Sequence, residues 1–143
     1  MEYTARLLVR EVVTVGASEP VREVVRLMKA KHVGCVLVMD GERLAGIFSE
    51  RDLVMRVAVE DEDLRGAPVS RFMTPDPVTV DVGEPLERVF EVLSRRRFRH
   101  VPITEQGRPA GIVSLSDFAG ILPEVFAEDK YAQYFVDYWR SRG

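Results

Sequence analysis

Residues 46–52 read GIFSERD, and residues 111–117, which stand 65 positions further along the chain, read GIVSLSD. The same offset relates VTV at 13–15 to VTV at 78–80, and AGI at 45–47 to AGI at 110–112. The two copies align from residue 13 to residue 122 without an insertion or deletion. Such a tandem duplication predicts two similar halves that pack about a pseudo-twofold axis, with ligand grooves where they meet.

Each copy has the hydrophobic pattern of a strand, a helix, two strands and a second helix, which predicts a mixed α/β (α+β) fold. In the first copy we expect strand 11–15, a helix capped by Ser18 that ends near Lys31, strands 35–39 and 44–48, and a helix opening at Ser49. In the second copy we expect a first helix that buries Leu86, Val89, Phe90 and Leu93, strands 101–104 and 110–113, and a helix opening at Ser114.

These elements predict four regions in the chain. The first repeat covers 1–60, a charged linker with Gly66 and Pro68 covers 61–71, and the second repeat covers 72–122. Residues 123–143 are rich in aromatic side chains at helical spacing, so we expect a C-terminal helix that docks on the rest of the protein.

Composition excludes several classes of function. A net charge of −3 over 143 residues argues against a nucleic-acid binder that relies on bulk electrostatics. One cysteine and two histidines offer no disulfide and no zinc-ligand spacing, so no metal site is expected. No nucleophile–base pair or P-loop is present, which predicts a protein that is not an enzyme. Without a signal peptide or membrane span in the sequence, we expect a cytoplasmic protein.

Ser49 and Asp52, and their counterparts Ser114 and Asp117, each stand three residues apart at the start of a predicted helix. One interpretation is a capping box, in which the serine and the acid satisfy the free N–H groups of the helix start. The other is a ligand site, because the same N–H groups favour an anion and a carboxylate can accept from a ribose diol. The two roles are compatible.

The repeat resembles a tandem pair of cystathionine-β-synthase (CBS) domains, an arrangement called a Bateman module. The resemblance rests on the Val-Thr-Val openings, on RHVPI at 99–103, on FMTPDP at 72–77 and on the Gly-hydrophobic-x-Ser-x-x-Asp motif of each copy. It implies a regulatory module that binds AMP, ADP, ATP or S-adenosylmethionine as an effector, requires no cofactor and signals to a partner protein. The alternative is a structural or protein-interaction module whose clefts are vestigial.

The resemblance also implies two clefts, each built from both copies. Cleft A would combine residues of the first capping motif with residues of the second copy: Ser49, Arg51, Asp52, Thr79, Val80, Arg99, His100, Val101 and Pro102. Cleft B would combine the opposite set: Thr14, Val15, Gly34, Cys35, Val36, Ser114, Ser116 and Asp117. Because cleft A alone contains arginines, we expect it to be the better phosphate site.

Such modules often pair, so a homodimer is expected. The helix faces expected at its interface carry apolar side chains that would otherwise be exposed: Leu53, Val54, Val57, Phe118, Ile121 and Leu122.

Overall fold

The computed structural model describes residues 3–59, 66–95, 99–114 and 117. The chain divides into two compact units. The first-copy unit is Val12–Pro77, and the second-copy unit joins Met1–Glu11 to Val78–Gly143. Residues up to Glu11 therefore group with the second copy, whereas the sequence assigned 1–60 to the first repeat. The predicted C-terminal helix, Ser116, Phe118, Ile121 and Leu122 lie outside the described residues.

The first-copy unit is a four-stranded sheet with one long helix. Strand order is β1-β2-β3-β4, with β1 parallel to β2 and the other pairs antiparallel. Its elements are β1 (Thr14–Gly16), α1 (Val21–Lys31), β2 (Cys35–Asp40), β3 (Arg43–Ser49), α2 (Glu50–Asp52) continued by a π-helical turn (Leu53–Val57), a 3₁₀ turn (Val69–Arg71) and β4 (Thr74–Pro75).

The second-copy unit repeats this arrangement with three strands in the order β5-β6-β7, the first pair parallel and the second antiparallel. Its elements are a 3₁₀ turn (Ala5–Leu8), β5 (Val80–Asp81), α3 (Leu86–Ser94), β6 (His100–Glu105) and β7 (Arg108–Ser114). The ladder shifts register after Val38 in one unit and after Ile103 in the other, which are positions related by the 65-residue offset. The predicted order of strands and helices is confirmed in the first copy and, in the second copy, up to β7; the helix expected from Ser114 lies, apart from Asp117, outside the described residues.

The predicted cap at Ser18 is wrong. Helix α1 begins at Val21, and its N-cap residue Pro20 makes no side-chain capping bond. The Val21 N–H donates instead to the Ala67 carbonyl at 2.8 Å, and in the second-copy unit the Leu86 N–H donates to the Tyr3 carbonyl at 3.0 Å. A backbone carbonyl from a distant segment satisfies the first N–H of each helix, so no serine is needed there.

Each unit has its own apolar core, and the two cores place their bulky side chains differently. Phe48 on β3 is fully buried in the first-copy unit, whereas its counterpart in the second-copy unit is Val113. On the first helix the order is reversed, because Val25 packs at the edge of one core and its counterpart Phe90 is buried in the other. At these related positions the large ring therefore comes from the strand in one copy and from the helix in the other, and Phe72 adds a second ring to the first core.

A separate stretch of chain crosses the last long strand of each unit. We call residues 67–76 the linking segment and residues 3–10 the leading segment. The Asp76 N–H donates to the Ala45 carbonyl at 3.0 Å, and the Arg10 N–H donates to the Ala110 carbonyl at 3.1 Å. The two segments thus play the same structural part in their respective units.

Two glycines, Gly46 and Gly111, leave room for these segments to cross the strands. A Cβ on Gly46 would lie 2.5 Å from Met73 Sδ and 2.7 Å from the Thr74 carbonyl oxygen, and one on Gly111 would lie 2.5 Å from the Leu8 carbonyl oxygen. Real Cβ atoms do not approach so closely, so the crossing requires glycine at both positions. The close backbone approach at these glycines is packing between chain segments.

In the helical turn after Asp52, some residues of the predicted dimer face are buried and others are exposed. Val57 is only 6% exposed and belongs to the core of the first-copy unit, and Leu53 packs against that core. The prediction that Val57 lies on an exposed face is therefore wrong, because the turn points this side chain inward. Val54, Met55 and Val59 are the exposed apolar residues of this region, at 61%, 60% and 72%.

Candidate functional site

The first capping box, Ser49 and Asp52, forms where β3 meets α2. Ser49 is extended and ends the strand, and its N–H and hydroxyl donate to Asp52 Oδ2 at 3.0 and 3.1 Å. The Asp52 N–H donates back to Ser49 Oγ at 3.3 Å. The capping interpretation is confirmed here, and the box fixes the orientation of the carboxylate.

The second capping box, Ser114 and Asp117, has the same geometry. The Ser114 N–H and hydroxyl donate to Asp117 Oδ2 at 2.9 and 3.0 Å, and the Asp117 N–H donates to Ser114 Oγ at 3.2 Å. No distance differs from its counterpart in the first box by more than 0.1 Å. The 65-residue repeat therefore reproduces a local polar arrangement as well as a fold.

The remaining carboxylate oxygens have different neighbours in the two boxes. Asp52 Oδ1 accepts from the Thr74 hydroxyl at 3.2 Å and lies 3.5 Å from Arg56 Nε. The Asp52 side chain is 8% exposed, and Arg56 is held beside it because its Nη1 donates to the Met73 carbonyl at 2.8 Å. The linking segment thus supplies both the hydroxyl and the anchor of the arginine.

Asp117 Oδ1 accepts instead from Arg10 Nη1 at 3.2 Å. Burial alone would raise the pKa of Asp117, but hydrogen bonds from the Ser114 backbone and hydroxyl, together with the Arg10 charge, outweigh it and hold this pKa below its ordinary value. The carboxylate is therefore ionised at neutral pH and already has a cationic partner.

The predicted cleft B residues of the first-copy unit lie around the start of β2. Cys35 is half-buried and stands opposite Ser49 in the ladder, and Thr14 is exposed on β1. The Glu50 N–H donates to the Gly34 carbonyl at 2.9 Å, and the Glu50 carboxylate lies over Gly34. The side chains of Val15 and Val36 belong to the core, so these two residues could meet a ligand only through their backbones.

The predicted cleft A residues of the two copies can be placed within their own units. Arg51 is exposed beside the first capping box, and Thr79 and Arg99 are exposed at the starts of β5 and β6. His100 is half-buried opposite Ser114, while the buried residues of this group are Val80, Val101 and Pro102. The grouping of residues from both copies into clefts A and B stays a prediction.

Sequence reasoning missed four residues that contact this region. Thr74 and Arg10 bind the outer oxygens of the two aspartates, Arg56 lies 3.5 Å from that of Asp52, and Glu50 lies against Gly34. Arg10 precedes the aligned repeat, and it has no counterpart at the 65-residue offset other than Pro75. Thr74 stands inside the FMTPDP motif, which was a usable signal for its proximity.

Within the described ranges, no group of three or more His, Cys, Asp or Glu side chains is arranged to hold a metal ion. None of the helices described is both long and apolar enough to cross a bilayer.

The sequence profile of the CBS domain matches residues 5–59 and again residues 69–124. The chain belongs to the CBS-domain family. Its two CBS domains stand in tandem, in agreement with the repeat read from the sequence. CBS pairs are typically regulatory, ligand-binding modules and are generally not catalytic.

Among curated proteins, this CBS pair is 30% identical over 109 residues to the CBS domain-containing protein YhcV of Bacillus subtilis, covering 76% of this chain and 77% of YhcV. It is also 28–31% identical to three CBS domain-containing proteins of Arabidopsis thaliana, CBSCBSPB1, CBSCBSPB5 and CBSCBSPB4, and covers 22% of their length.

Solved structures show the same fold. The CBS-domain protein ATU1752 of Agrobacterium tumefaciens is 38% identical with a TM-score of 0.68, over 78% of this chain and 84% of that one. The hexameric CBS-CP12 protein of bloom-forming cyanobacteria is 28% identical with a TM-score of 0.73, over 83% of this chain and 67% of that one.

Proposed function

We propose that this CBS pair is a regulatory module that binds an adenosine nucleotide or S-adenosyl ligand and transmits its occupancy to a partner protein. The observation that carries the proposal is the capping box, which is built twice with matching distances and leaves one carboxylate oxygen outside the box each time. AMP, ADP, ATP and S-adenosylmethionine all contain the ribose and adenine that such a module would recognise. The compartment in which it works is proposed to be the cytoplasm.

The chemistry of the first capping box suits a ribose diol. Asp52 Oδ2 is occupied by the two Ser49 donors, so the box holds the carboxylate in one orientation. Oδ1 is bound by a threonine hydroxyl, which can rotate and accept as well as donate, so an incoming hydroxyl can join or replace it. Hydrogen bonds to an ionised carboxylate are stronger than those between neutral groups.

For the phosphate of the ligand, the proposal relies on Arg51 and Arg99, with His100 as a further donor. Arg51 and Arg99 are exposed, so neither guanidinium has to leave a buried site to bind an anion. Thr79 would contribute a hydroxyl, while buried Val80, Val101 and Pro102 would contribute backbone groups and apolar edges near the base. These assignments follow the family pattern residue by residue.

The test is a calorimetric titration of the purified chain with AMP, ATP and S-adenosylmethionine, followed by the same titration of Asp52→Ala and Asp117→Ala. We expect Asp52→Ala to cost roughly 1.5–3 kcal/mol of binding, which is about tenfold or more in Kd, and Asp117→Ala to cost less. Asp76→Ala is the matched control, because its side chain is 84% exposed and bonds only weakly to Arg43 at 3.7 Å. The reverse order of the two effects would reverse the assignment of the clefts.

A ligand at about 100 times its Kd should add about 2.7 kcal/mol of stability, which is visible as a rise of several degrees in Tm. The absence of any shift at millimolar concentration would favour the alternative of a structural or interaction module with vestigial clefts. The exposed Val54, Met55 and Val59 support association in either case, because solvated apolar clusters mark interaction surfaces.

We propose a homodimer that covers this cluster; the CBS-CP12 relative shows that proteins with this fold do assemble. Light scattering should give about twice the chain mass of 16.2 kDa, and Val54→Glu with Met55→Glu should lower it. A mass of one chain at micromolar concentration would refute the dimer.

A further inference from the structure

Main-chain hydrogen bonds at Ala5 and at Arg10 itself hold this part of the leading segment in place. The Ala5 N–H donates to the Glu84 carbonyl at 2.9 Å, and the Arg10 N–H donates to the Ala110 carbonyl at 3.1 Å. Between these bonds, the side chains of Ala5 and Leu8 are fully buried in the core of the second-copy unit. The base of the Arg10 side chain is therefore fixed, while the side chain as a whole remains 44% exposed and its guanidinium can turn.

The Arg10 guanidinium occupies the one oxygen of Asp117 that the capping box leaves outside. A carboxylate has about four acceptor positions, and the second capping box uses two of them on Oδ2. Arg10 takes a third on Oδ1, so the described residues leave a single position. A ribose diol that donates both hydroxyls needs two positions, and it must displace Arg10 to obtain them.

Displacing Arg10 is inexpensive, and it leaves a cation beside the ligand. Both partners of the ion pair are partly exposed, at 44% and 35%, and pairs of this kind contribute little to stability. The freed guanidinium, still anchored by its backbone, is then within the length of a side chain of whatever binds Asp117. A phosphate is the ligand group that an arginine fork binds best, through two parallel hydrogen bonds.

The first-copy unit does not repeat this device. The residue whose N–H corresponds to that of Arg10 is Asp76, an acid that pairs with Arg43. The outer oxygen of Asp52 has the neutral Thr74 hydroxyl as its nearest partner, and the nearby Arg56 is already bonded to the Met73 carbonyl. Only the second capping box, among the residues described, receives a cation from the segment that crosses its strand.

We propose that Arg10 is a specificity-determining residue of a nucleotide site at Asp117: the ribose displaces its guanidinium from the carboxylate, and the guanidinium then binds the phosphate of the same ligand. This inference rests on the proposed function, in that Asp117 must accept a ribose. It predicts that the Asp117 site prefers phosphorylated nucleotides to the neutral nucleoside and to the cationic S-adenosylmethionine. It also adds a cation to the site that sequence reasoning expected to be the poorer one for anions.

The test compares AMP with adenosine, which differ only in the phosphate. Every protein in this test is the full chain with Asp52→Asn. The asparagine retains an acceptor for the first capping box, and it removes the charge of the site at Asp52. Calorimetry then gives the Kd of both ligands with Arg10, with Arg10→Gln and with Arg10→Lys. We expect Arg10→Gln to weaken AMP binding roughly tenfold or more, to leave adenosine unchanged or tighter, and Arg10→Lys to fall between.

Arg6→Gln is the matched control, since Arg6 stands on the same leading segment and pairs with Glu105 rather than with Asp117. It should change neither Kd. Melting without ligand checks that each variant is folded, and if Arg10→Gln is not, Arg10→Met, which also removes the charge, takes its place.

A ratio of AMP to adenosine affinity that is the same with and without the Arg10 charge would overturn the inference while leaving the proposed function intact. Failure of the unmodified chain to bind either compound, or ATP or S-adenosylmethionine, would overturn both.

Discussion

The two units of this protein have the same strands and the same capping box, but they obtain their packing from different places. In the first-copy unit, the segment that crosses the sheet is the linking segment, which begins ten residues after the end of the helical turn of the same copy. In the second-copy unit, that part is played by the leading segment, whose Leu8 lies against Gly111 about a hundred residues further along the chain. A duplicated fold can therefore be completed by chain that is local in one copy and remote in the other.

The two cores also obtain their large side chains from different elements. Phe48 and Val25 in the first copy correspond to Val113 and Phe90 in the second, so the large side chain changes from strand to helix. Cores tolerate such exchanges when the total volume is conserved. The two interiors are therefore more alike than a residue-by-residue comparison of the two copies suggests.

The largest effect is expected from Phe48→Ala, which should lower the free energy of unfolding by about 3–5 kcal/mol because it leaves a cavity in the core. Two further variants test whether the two cores are equivalent. One is Phe48→Val alone, and the other is Phe48→Val together with Val25→Phe, which reproduces the second-copy arrangement. Urea denaturation should show a smaller loss for the double variant than for the single one. An equal or larger loss would show that the two cores are not equivalent.

Leu8→Ala should cost about 2–5 kcal/mol, as a core truncation, although Leu8 lies outside the aligned repeat. Its neighbour Leu7 is 40% exposed, so Leu7→Ala is the matched control and should have little effect. Hydrogen exchange should show that the amides of β6 and β7 lose more protection than those of β2 and β3. Greater loss in β2 and β3 would contradict the assignment of the leading segment to the second-copy unit.

Gly111→Ala and Gly46→Ala should each cost about 1–3 kcal/mol, because the added methyl group overlaps the crossing segment. Gly66→Ala is the control, since a Cβ there meets nothing within 4 Å. The cost should be somewhat larger at Gly111, where a backbone oxygen lies at 2.5 Å, than at Gly46, where the Met73 side chain can move and the nearest backbone oxygen lies at 2.7 Å. Met73→Ala should recover part of the loss in Gly46→Ala, and thermal denaturation would reveal whether it does.

The smallest effect concerns pH. The pKa of Asp117 is lower in the folded protein than its ordinary value, so its contribution to stability is present above about pH 4 and is lost as the pH falls through the folded pKa. Unfolding free energies at pH 6 and pH 3 should therefore differ less in Asp117→Asn than in the unmodified chain. Arg10→Gln should reduce the difference partly, by at most about 1 kcal/mol, since the ion pair is partly exposed. Identical pH dependence in all three proteins would contradict this account of the carboxylate.

Much of the fold was predictable because the relevant interactions are local. Apolar spacing located α1 and α3 to within a few residues, and the serine–aspartate spacing predicted both capping boxes. Gly41, with φ +63°, closes the hairpin between the strands expected at 35–39 and 44–48. The Ser18 cap failed because a competing carbonyl, that of Ala67, comes from a segment more than forty residues away. No local pattern reports such a partner.

The sequence by itself determined that the protein is a duplicated CBS pair, which strands and helices each copy forms, and that each copy presents a serine–aspartate box. These follow from hydrophobic periodicity, turn residues and capping, all of which act within about four residues of the chain. Only the tertiary structure decided that residues 3–10 complete the second copy and that Arg10 bonds to Asp117. The leading segment bonds to the start of its helix at Tyr3 and to its last strand at Arg10, whereas the linking segment makes the corresponding bonds at Ala67 and Asp76, two residues further apart. Because of this difference in length, Arg10 and Asp76 are not related by the 65-residue offset. The bond between Arg10 and Asp117 therefore becomes visible only when the chain has folded and distant backbone groups have met.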